Sequence, residues 1–186
     1  MTPAEVESLG SRGWFQREDF PGAGLAAGVA AQRAGECRFK PAAISRGHHR
    51  DEAVRNDRLL WVEPEDAELS GLFAAFEALR LELNEGAWLG LARFDLQLAH
   101  YGPGGHYVRH RDALQGENNR RVTAIVYLNP GWEPIHGGQL RLCLDPAVEV
   151  EPRLGRLVIF LSEKVEHEVL PSAANRFAAT AWYYGR

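Results

Sequence analysis

The stretch GRLVIFLS, residues 155–162, is apolar at almost every position between its polar ends. It has the length of a strand, and a strand that is apolar on both faces belongs in the centre of a sheet. From Trp88 onward, other short apolar or alternating runs follow one another, separated by glycine, proline and asparagine. They are FDLQLAHY (94–101), RVTAIVYLN (121–129), GGQLRLCL (137–144), VEVEP (148–152) and RFAATAWYY (176–184). Runs of this length and spacing predict a mainly β fold with supporting helices, a double-stranded β-helix (jelly roll).

Upstream of these strands, apolar residues recur at helical spacing in two segments, residues 23–34 and 65–84. In the second segment they form one stripe, which predicts a helix packed on a sheet. Gly35 and Gly86 come near the ends, where a C-terminal cap often uses glycine. Between the helices, residues 37–58 are polar before an apolar run, which predicts a strand, an exposed loop and a second strand. Such a loop is suited to cover a site.

The whole chain has 186 residues, of which 45% are hydrophobic, enough for one substantial core and too few for two ordinary domains. We therefore predict one domain over residues 1–186. Its helices and substrate loop occupy residues 1–87 and its catalytic core residues 88–186.

The net charge of -4 and the sequence pI of about 6.0 give no broad attraction to polyanions, so we expect no nucleic-acid partner. No stretch approaches the roughly 18 apolar residues that span a bilayer, and we expect no membrane partner. Cys37 and Cys143 lie far apart without CxxC spacing, so neither a disulfide framework nor a zinc ribbon is indicated. These features favour a cytoplasmic protein.

The pair His110 and Asp112 is separated by one residue. Side chains at i and i+2 of a strand share a face, so an imidazole nitrogen and a carboxylate oxygen can meet one cation. His167 follows the apolar stretch 155–162 and is a candidate third ligand. Two imidazoles and one carboxylate leave positions open on an octahedral ion, which suits non-haem Fe(II). Zinc is an alternative on ligand type alone.

Arg176 comes nine residues after His167 and opens the run RFAATAWYY. Its planar fork donates two parallel hydrogen bonds to a carboxylate and stays charged when desolvated. An inward-facing Arg176 therefore predicts an anionic ligand. Tyr127 is suited to add a hydrogen bond to the same carboxylate and Tyr101 to line the other side. Considered alone, either tyrosine would be interpreted as a core residue with a hydrogen-bonded hydroxyl.

Several motifs together resemble the catalytic core of the prolyl 4-hydroxylases, and most resemble the oxygen-sensing prolyl hydroxylase domain enzymes and their bacterial relatives. The strong resemblance covers about residues 88–184, and a looser one extends to AVRNDRLLWV, residues 53–62. The motifs that carry it are YGPGGHYVRHRD (101–112), RRVTAIVYLNPGW (120–132), GGQLRL (137–142) and HEVLPSAANRFAATAWYY (167–184).

This resemblance implies an Fe(II)- and 2-oxoglutarate-dependent dioxygenase that hydroxylates a prolyl residue at the 4-position and forms succinate and CO2. It implies Fe(II), 2-oxoglutarate, O2 and ascorbate as cofactors and cosubstrates. Iron would be bound by His110, Asp112 and His167, and the distal carboxylate of 2-oxoglutarate by Arg176 and Tyr127.

By the same resemblance, Tyr101 would lie beside the cosubstrate, and four further residues would contact the substrate. Arg55 and Asp57 would belong to a mobile loop that closes over it, and Arg120 and Trp182 would line the entrance. The candidate partner is elongation factor Tu, because related bacterial enzymes act on it.

The sequence departs from the animal members in the loop between Asp112 and Arg120, and since the last strand runs almost to Arg186, we expect no counterpart of their C-terminal helix. Two alternatives to prolyl hydroxylation stay open. One is a 2-oxoglutarate oxygenase acting on a small molecule or nucleobase, and the other is a non-catalytic sensor of 2-oxoglutarate or metal.

Overall fold

The computed structural model contains two antiparallel sheets. It describes residues 1–18, 20–22, 25–26, 28–29, 39–42, 51–113 and 119–186. In spatial order, the larger sheet contains β1 (Trp14–Arg17), β9 (Leu157–Leu161), β6 (Arg120–Tyr127), β11 (Arg176–Gly185), β4 (Leu91–Tyr101), β3 (Arg58–Val62) and β2 (Lys40–Pro41). The smaller sheet contains β5 (Tyr107–His110), β10 (His167–Val169), β7 (Leu140–Leu142) and β8 (Val148–Val150). The predicted jelly-roll class is confirmed.

One buried cluster contains residues of both sheets, and a second contains residues of the larger sheet and the helices. Val158 of β9 belongs to the first and Ile159 to the second. Because successive side chains point to opposite faces, this strand must be apolar throughout. β9 lies between β1 and β6, so the prediction that residues 155–162 form an interior strand covered on both faces is confirmed, but β9 is second from the edge of the sheet and not at its centre.

Two helices lie wholly within the described residues, α1 (Pro3–Ser11) and α2 (Ser70–Ala87), with a short 3-10 helix at Pro134–His136. α2 buries Leu72, Phe76, Leu79 and Leu83, in agreement with the predicted stripe. The predicted start at residue 65 is wrong, because the residues just before Ser70 form turns.

The predicted glycine cap of α2 is also wrong. Gly86 lies inside the helix, and Trp88 takes the left-handed C-cap position with φ 55°. A β-carbon on Gly86 would lie 2.8 Å from the side chain of Met1, so the glycine makes room for the N-terminal segment.

The helix predicted for residues 23–34 lies largely outside the described residues. Within it, Leu25, Ala26, Gly28 and Val29 are described and helical. Of the predicted segment 37–58, residues 37–38 and 43–50 lie outside the described part. Among the described residues, no helix combines the length and apolar character needed to cross a bilayer.

An ion-pair cluster joins α1, β1 and α2. The guanidinium of Arg17 makes two hydrogen bonds to Glu5, of 2.6 and 2.9 Å, and two to Glu82, of 3.0 and 2.7 Å. Paired bonds of this kind fix orientation as well as distance. The cluster therefore ties the N-terminal elements to the outer helix.

Candidate functional site

His110, Asp112 and His167 come together between the two sheets. His110 ends β5 and lies directly opposite His167, which begins β10. Asp112 lies just beyond β5, with its carboxylate oxygens 3.7 Å from His110 Nε2 and 3.8 Å from His167 Nε2. The three potential ligand atoms all lie within 4.8 Å of one another, which fits a single metal ion.

Main-chain carbonyls set the orientation of both imidazoles. His110 Nδ1 lies 2.8 Å from the carbonyl oxygen of Val108, and His167 Nδ1 lies 3.2 Å from that of Val165. A carbonyl oxygen only accepts hydrogen bonds, so each Nδ1 carries a proton and each Nε2 is the atom that faces the other potential ligands. Bonds of this kind are usual behind metal-binding histidines. Burial, and next the neighbouring His167, lower the pKa of His110 to about 4, which keeps its ring neutral at pH 7.

The larger sheet holds the carboxylate of Asp112. Thr123 of β6 donates a 2.7 Å hydrogen bond to Oδ2, and its hydroxyl lies 2.9 Å from that of Ser162. Burial raises the pKa of Asp112, but the two histidines and the hydrogen bond from Thr123 outweigh burial and lower it. Asp112 is therefore an anion, and the donor set of two imidazoles and one carboxylate fits Fe(II).

The triad lines a cavity of about 490 Å³, and Arg176 lines the same cavity. Arg176 is only 2% exposed, and its Nε donates a 2.8 Å hydrogen bond to the carbonyl of Gly138. Its guanidinium lies 5.0 Å from the ring of Tyr101 and 5.1 Å from that of Tyr127. Among the described residues, no carboxylate pairs with it. Because an unpaired buried cation is unfavourable, this arrangement fits an anionic ligand.

Tyr127 is fully buried beside Arg176, and its hydroxyl makes no well-formed hydrogen bond within the described chain. Burial raises its pKa to about 12 even though Arg176 counteracts it, so the hydroxyl stays protonated and can donate. Together, Arg176 and Tyr127 offer the donors that a carboxylate of 2-oxoglutarate requires.

Gly138 explains the GGQLRL motif. It adopts φ +64°, and a β-carbon there would lie 3.0 Å from Arg176 Cδ and 3.1 Å from Ser172 Oγ. Only glycine combines this backbone conformation with so close an approach. The glycine of this motif therefore allows the side chain of Arg176 to pack closely against the main chain.

Of the two residues predicted on the substrate loop, Arg55 lines the cavity and Asp57 does not. The side chain of Asp57 is completely buried and receives hydrogen bonds of 2.7 and 2.6 Å from Arg55. The carboxylate of Asp57 thus holds Arg55, and its predicted contact with the substrate stays a prediction. The guanidinium of Arg55 lies 4.3 Å from the ring of Tyr107, which stacks on His110 at 3.6 Å.

The two residues predicted at the entrance, Arg120 and Trp182, both line the cavity. The guanidinium of Arg120 lies 4.5 Å from the Trp182 ring and donates hydrogen bonds to the Tyr184 hydroxyl and to the carbonyl of Asp112. On the other side, Trp182 contacts Trp61, which is 50% exposed. Aromatic rings and a cation thus flank the mouth of the cavity.

Three residues of the site were not predicted from sequence: Thr123, Tyr107 and Gln97. Thr123 could have been found as the one threonine or serine in the apolar run of β6. Tyr107 could not, because it shares the side of His110 only through an irregularity in the pairing of β5 with β10. Gln97 lies on β4 and lines the cavity.

Comparison with known proteins agrees with this geometry. The model of the 2OG-Fe(II) oxygenase superfamily matches residues 96–184. Mouse prolyl hydroxylase EGLN3 is 34% identical over 165 residues, covering 83% of this chain and 66% of that protein. Human Egl nine homolog 1 is 34% identical over 142 residues, covering 70% and 33%. The chain thus spans from one third to just under two thirds of these two relatives.

Solved structures match almost the whole chain, among them two prolyl hydroxylases. A Pseudomonas putida prolyl-4-hydroxylase has a TM-score of 0.85 and 40% identity, with 98% of both chains covered. A Trichoplax adhaerens prolyl hydroxylase, in complex with a peptide of the hypoxia inducible factor oxygen degradation domain, has a TM-score of 0.84 and 26% identity. The alignment covers 97% of this chain and 87% of that one.

The fold and the site thus define a 2OG-Fe(II) oxygenase, a class of enzymes that requires Fe(II), 2-oxoglutarate and O2. Within that class, the chain belongs to the prolyl hydroxylase family.

Proposed function

We propose that this chain hydroxylates a prolyl residue of a protein substrate at the 4-position, consuming O2 and 2-oxoglutarate and releasing succinate and CO2. The observation that carries the proposal is the presence, in one cavity, of the His110, Asp112 and His167 triad and a buried arginine without an acidic partner in the described chain. The triad accounts for the metal, and Arg176 accounts for a dicarboxylate cosubstrate.

In this mechanism the side chains bind the metal, orient the cosubstrate and keep water out of the site. Nε2 of His110 and of His167 present their lone pairs, and Thr123 holds the carboxylate of Asp112 in place. Arg176 and Tyr127 would anchor the distal carboxylate of 2-oxoglutarate. Iron held by the triad would supply the oxidation of a substrate C–H bond by O2, coupled to oxidative decarboxylation of the cosubstrate.

A polypeptide substrate is supported by the form of the entrance. Trp61 is half exposed and contacts Trp182, and Arg120 packs on the other side of Trp182. Aromatic side chains provide large, rigid contact areas for an apolar ring such as that of proline. The Trichoplax relative was solved with a peptide bound, which agrees with a substrate of this class.

For the particular substrate we propose elongation factor Tu, on the sequence resemblance to bacterial prolyl hydroxylases alone. We also propose ascorbate as a supporting cofactor, on the sequence resemblance. A cytoplasmic location is proposed on the composition and cysteine spacing of the sequence. Each can be tested separately from the prolyl hydroxylation itself.

The test is mass spectrometry of candidate proteins and of N-acetylated pentapeptides with a central proline, after incubation with Fe(II), 2-oxoglutarate and O2, with and without ascorbate. We expect the gain of one oxygen atom on proline, with one succinate formed for each hydroxylation. Asp112→Ala and omission of 2-oxoglutarate should both abolish the gain. If oxygen is gained on another residue type, or on none while wild type still consumes 2-oxoglutarate, the prolyl assignment fails.

A further inference from the structure

Gln97 is a buried polar residue in the wall of the cavity. It is 4% exposed and lies on β4, and its Oε1 atom has no hydrogen-bond partner among the described residues. Buried carboxamide oxygens in folded proteins nearly always accept a hydrogen bond, and those that do not call for an explanation. An apolar side chain of similar length would fill this position at no such cost.

The sheet register locates Gln97 within the cavity. Trp61 of β3 and Thr180 of β11 are its direct partners across the sheet, and both line the cavity. Trp61 marks the mouth. Arg176, at the cosubstrate end, lies four residues before Thr180 on β11, which places it two side chains farther along the same face. Gln97 is therefore nearer the mouth than the cosubstrate anchor is.

The unpartnered Oε1 atom can bind only a hydrogen-bond donor, whereas Nε2 of the same side chain is itself a donor. An oxygen acceptor requires a donor, and 2-oxoglutarate at neutral pH has only carboxylate and keto oxygens, which are acceptors. A polypeptide offers one N–H at every residue except proline. Within the proposed function, the donor that matches Gln97 Oε1 is consequently an amide next to the target proline.

We propose that Gln97 is a substrate-binding residue that accepts a hydrogen bond from a main-chain N–H of the residue flanking the hydroxylated proline. This assignment rests on the proposed prolyl hydroxylation. It adds to that function a direct recognition of the substrate main chain, which would favour an extended segment over a free small molecule.

The first test is Gln97→Met, which keeps the length of the side chain and removes its hydrogen-bonding groups. The KM for pentapeptides that wild type hydroxylates should rise about 10-fold, the usual effect of an unmet hydrogen bond. The affinities for Mn(II) and 2-oxoglutarate should not change. The midpoint of thermal unfolding should stay equal or rise, because the variant removes an unsatisfied buried oxygen.

The second test is a double-mutant cycle between the protein and its substrate. Methylating the main-chain nitrogen on either side of proline removes the proposed donor. One of the two methylated peptides should bind wild type about 10-fold more weakly, yet bind Gln97→Met no more weakly than the unmethylated peptide does. Gln97→Glu, which keeps the acceptor, should retain the sensitivity to methylation.

Several outcomes would overturn the assignment of Gln97. One is that Gln97→Met and N-methylation of the peptide have additive effects on binding. The others are a lower unfolding midpoint for Gln97→Met and a weakened affinity of Gln97→Met for 2-oxoglutarate. The last would make Gln97 a cosubstrate residue. If wild type hydroxylates no pentapeptide, the proposed function fails for peptides, and the unfolding and 2-oxoglutarate measurements still decide whether Gln97 is structural or binds the cosubstrate.

Discussion

Arg176 can be separated experimentally from the metal ligands, because it lines the same cavity without belonging to the triad. Arg176→Ala should leave Mn(II) binding intact and weaken 2-oxoglutarate binding. The loss of one side of a buried charge pair costs about 3–5 kcal/mol, or on the order of a few hundredfold or more in affinity. Anaerobic titration of Mn(II)-loaded protein with 2-oxoglutarate measures this loss.

Two variants act as controls for that titration. Asp112→Ala removes the only anionic ligand of the triad, so metal binding itself should collapse. Arg176→Lys keeps a positive charge without the planar fork and should bind 2-oxoglutarate with an intermediate affinity. Should Arg176→Ala bind 2-oxoglutarate as tightly as wild type, the anchor must be another residue.

Gly138 supports the same anchor through its backbone. Gly138→Ala would place a methyl group against Arg176 and Ser172, so we expect 2-oxoglutarate affinity to fall about 10-fold or more. Gly131 has a similar φ of +67° with open space around it, and Gly131→Ala is the matched control. Both variants should lose roughly 1 kcal/mol of stability from the left-handed backbone. Equal effects of both on 2-oxoglutarate titrations would refute the role of Gly138.

At the scale of elements, the segment 53–57 covers the free edge of β5. The amide of Val108 donates to the carbonyl of Val54 at 2.9 Å, and Arg55 pairs with Tyr107. The buried ion pair between Arg55 and Asp57 fixes this segment beside the strand that carries His110. The segment is thus suited to couple substrate capture to the metal centre.

Asp57→Ala should therefore loosen the segment from β5, because it leaves the guanidinium of Arg55 unpaired. Breaking a buried pair costs about 3 kcal/mol of stability. We expect faster hydrogen exchange at the amide of Val108 and a higher KM for peptide substrate, with 2-oxoglutarate affinity nearly unchanged. The double variant Arg55→Leu with Asp57→Leu should recover stability but not the KM. A large loss of 2-oxoglutarate affinity in Asp57→Ala would contradict this role.

Most elements from residue 88 onward could be predicted from sequence because their apolar periods reflect burial directly. β9 is apolar on both faces because each face covers a core, and this pattern is readable without a structure. The shared side of Tyr107 and His110 could not be predicted, because it arises from irregular strand pairing rather than from regular alternation. The burial of Asp57 was also unpredictable, since the polar sequence around it does not indicate that Arg55 pairs with its carboxylate.

At the scale of the whole molecule, the cluster of Arg17, Glu5 and Glu82 should make stability depend on pH. Hydrogen bonding with Arg17 holds the pKa of Glu82 at about 2, below its ordinary 4.5. A lowered carboxyl pKa gives stability that is present above pH 4.5 and is lost as the pH falls to about 2. Because Glu82 is a third exposed, we expect Glu82→Gln to cost only about 1 kcal/mol at pH 7.

Urea unfolding at several pH values tests this dependence. The stability difference between wild type and Glu82→Gln should shrink steadily below pH 4.5. Glu85→Gln is a control on the same helix, for an exposed side chain. A difference that stays constant down to pH 2 would show that the ion pair is not the cause.

The residues of the site come from distant parts of the chain, and the sequence predicted the triad and Arg176 through their motifs. Motifs identify ligand chemistry because few residue types can bind a metal or a dicarboxylate. The wall of the cavity is different. Trp61 and Gln97 become neighbours only through the register of β3 and β4, which depends on the packing of the whole sheet.

The metal should also stabilise the whole fold, because its ligands join the two sheets. His110 and His167 belong to the smaller sheet, whereas Asp112 is held by Thr123 of the larger one. Mn(II) at about 100 times its Kd should add about 2.7 kcal/mol, which for a chain of this size raises the unfolding midpoint by about 5–10 °C. 2-Oxoglutarate should raise the unfolding midpoint further in wild type but not in Arg176→Ala. The midpoint of Asp112→Ala should respond neither to Mn(II) nor to 2-oxoglutarate. Differential scanning fluorimetry measures all three, and an Mn(II) shift that persists in Asp112→Ala would place the metal elsewhere.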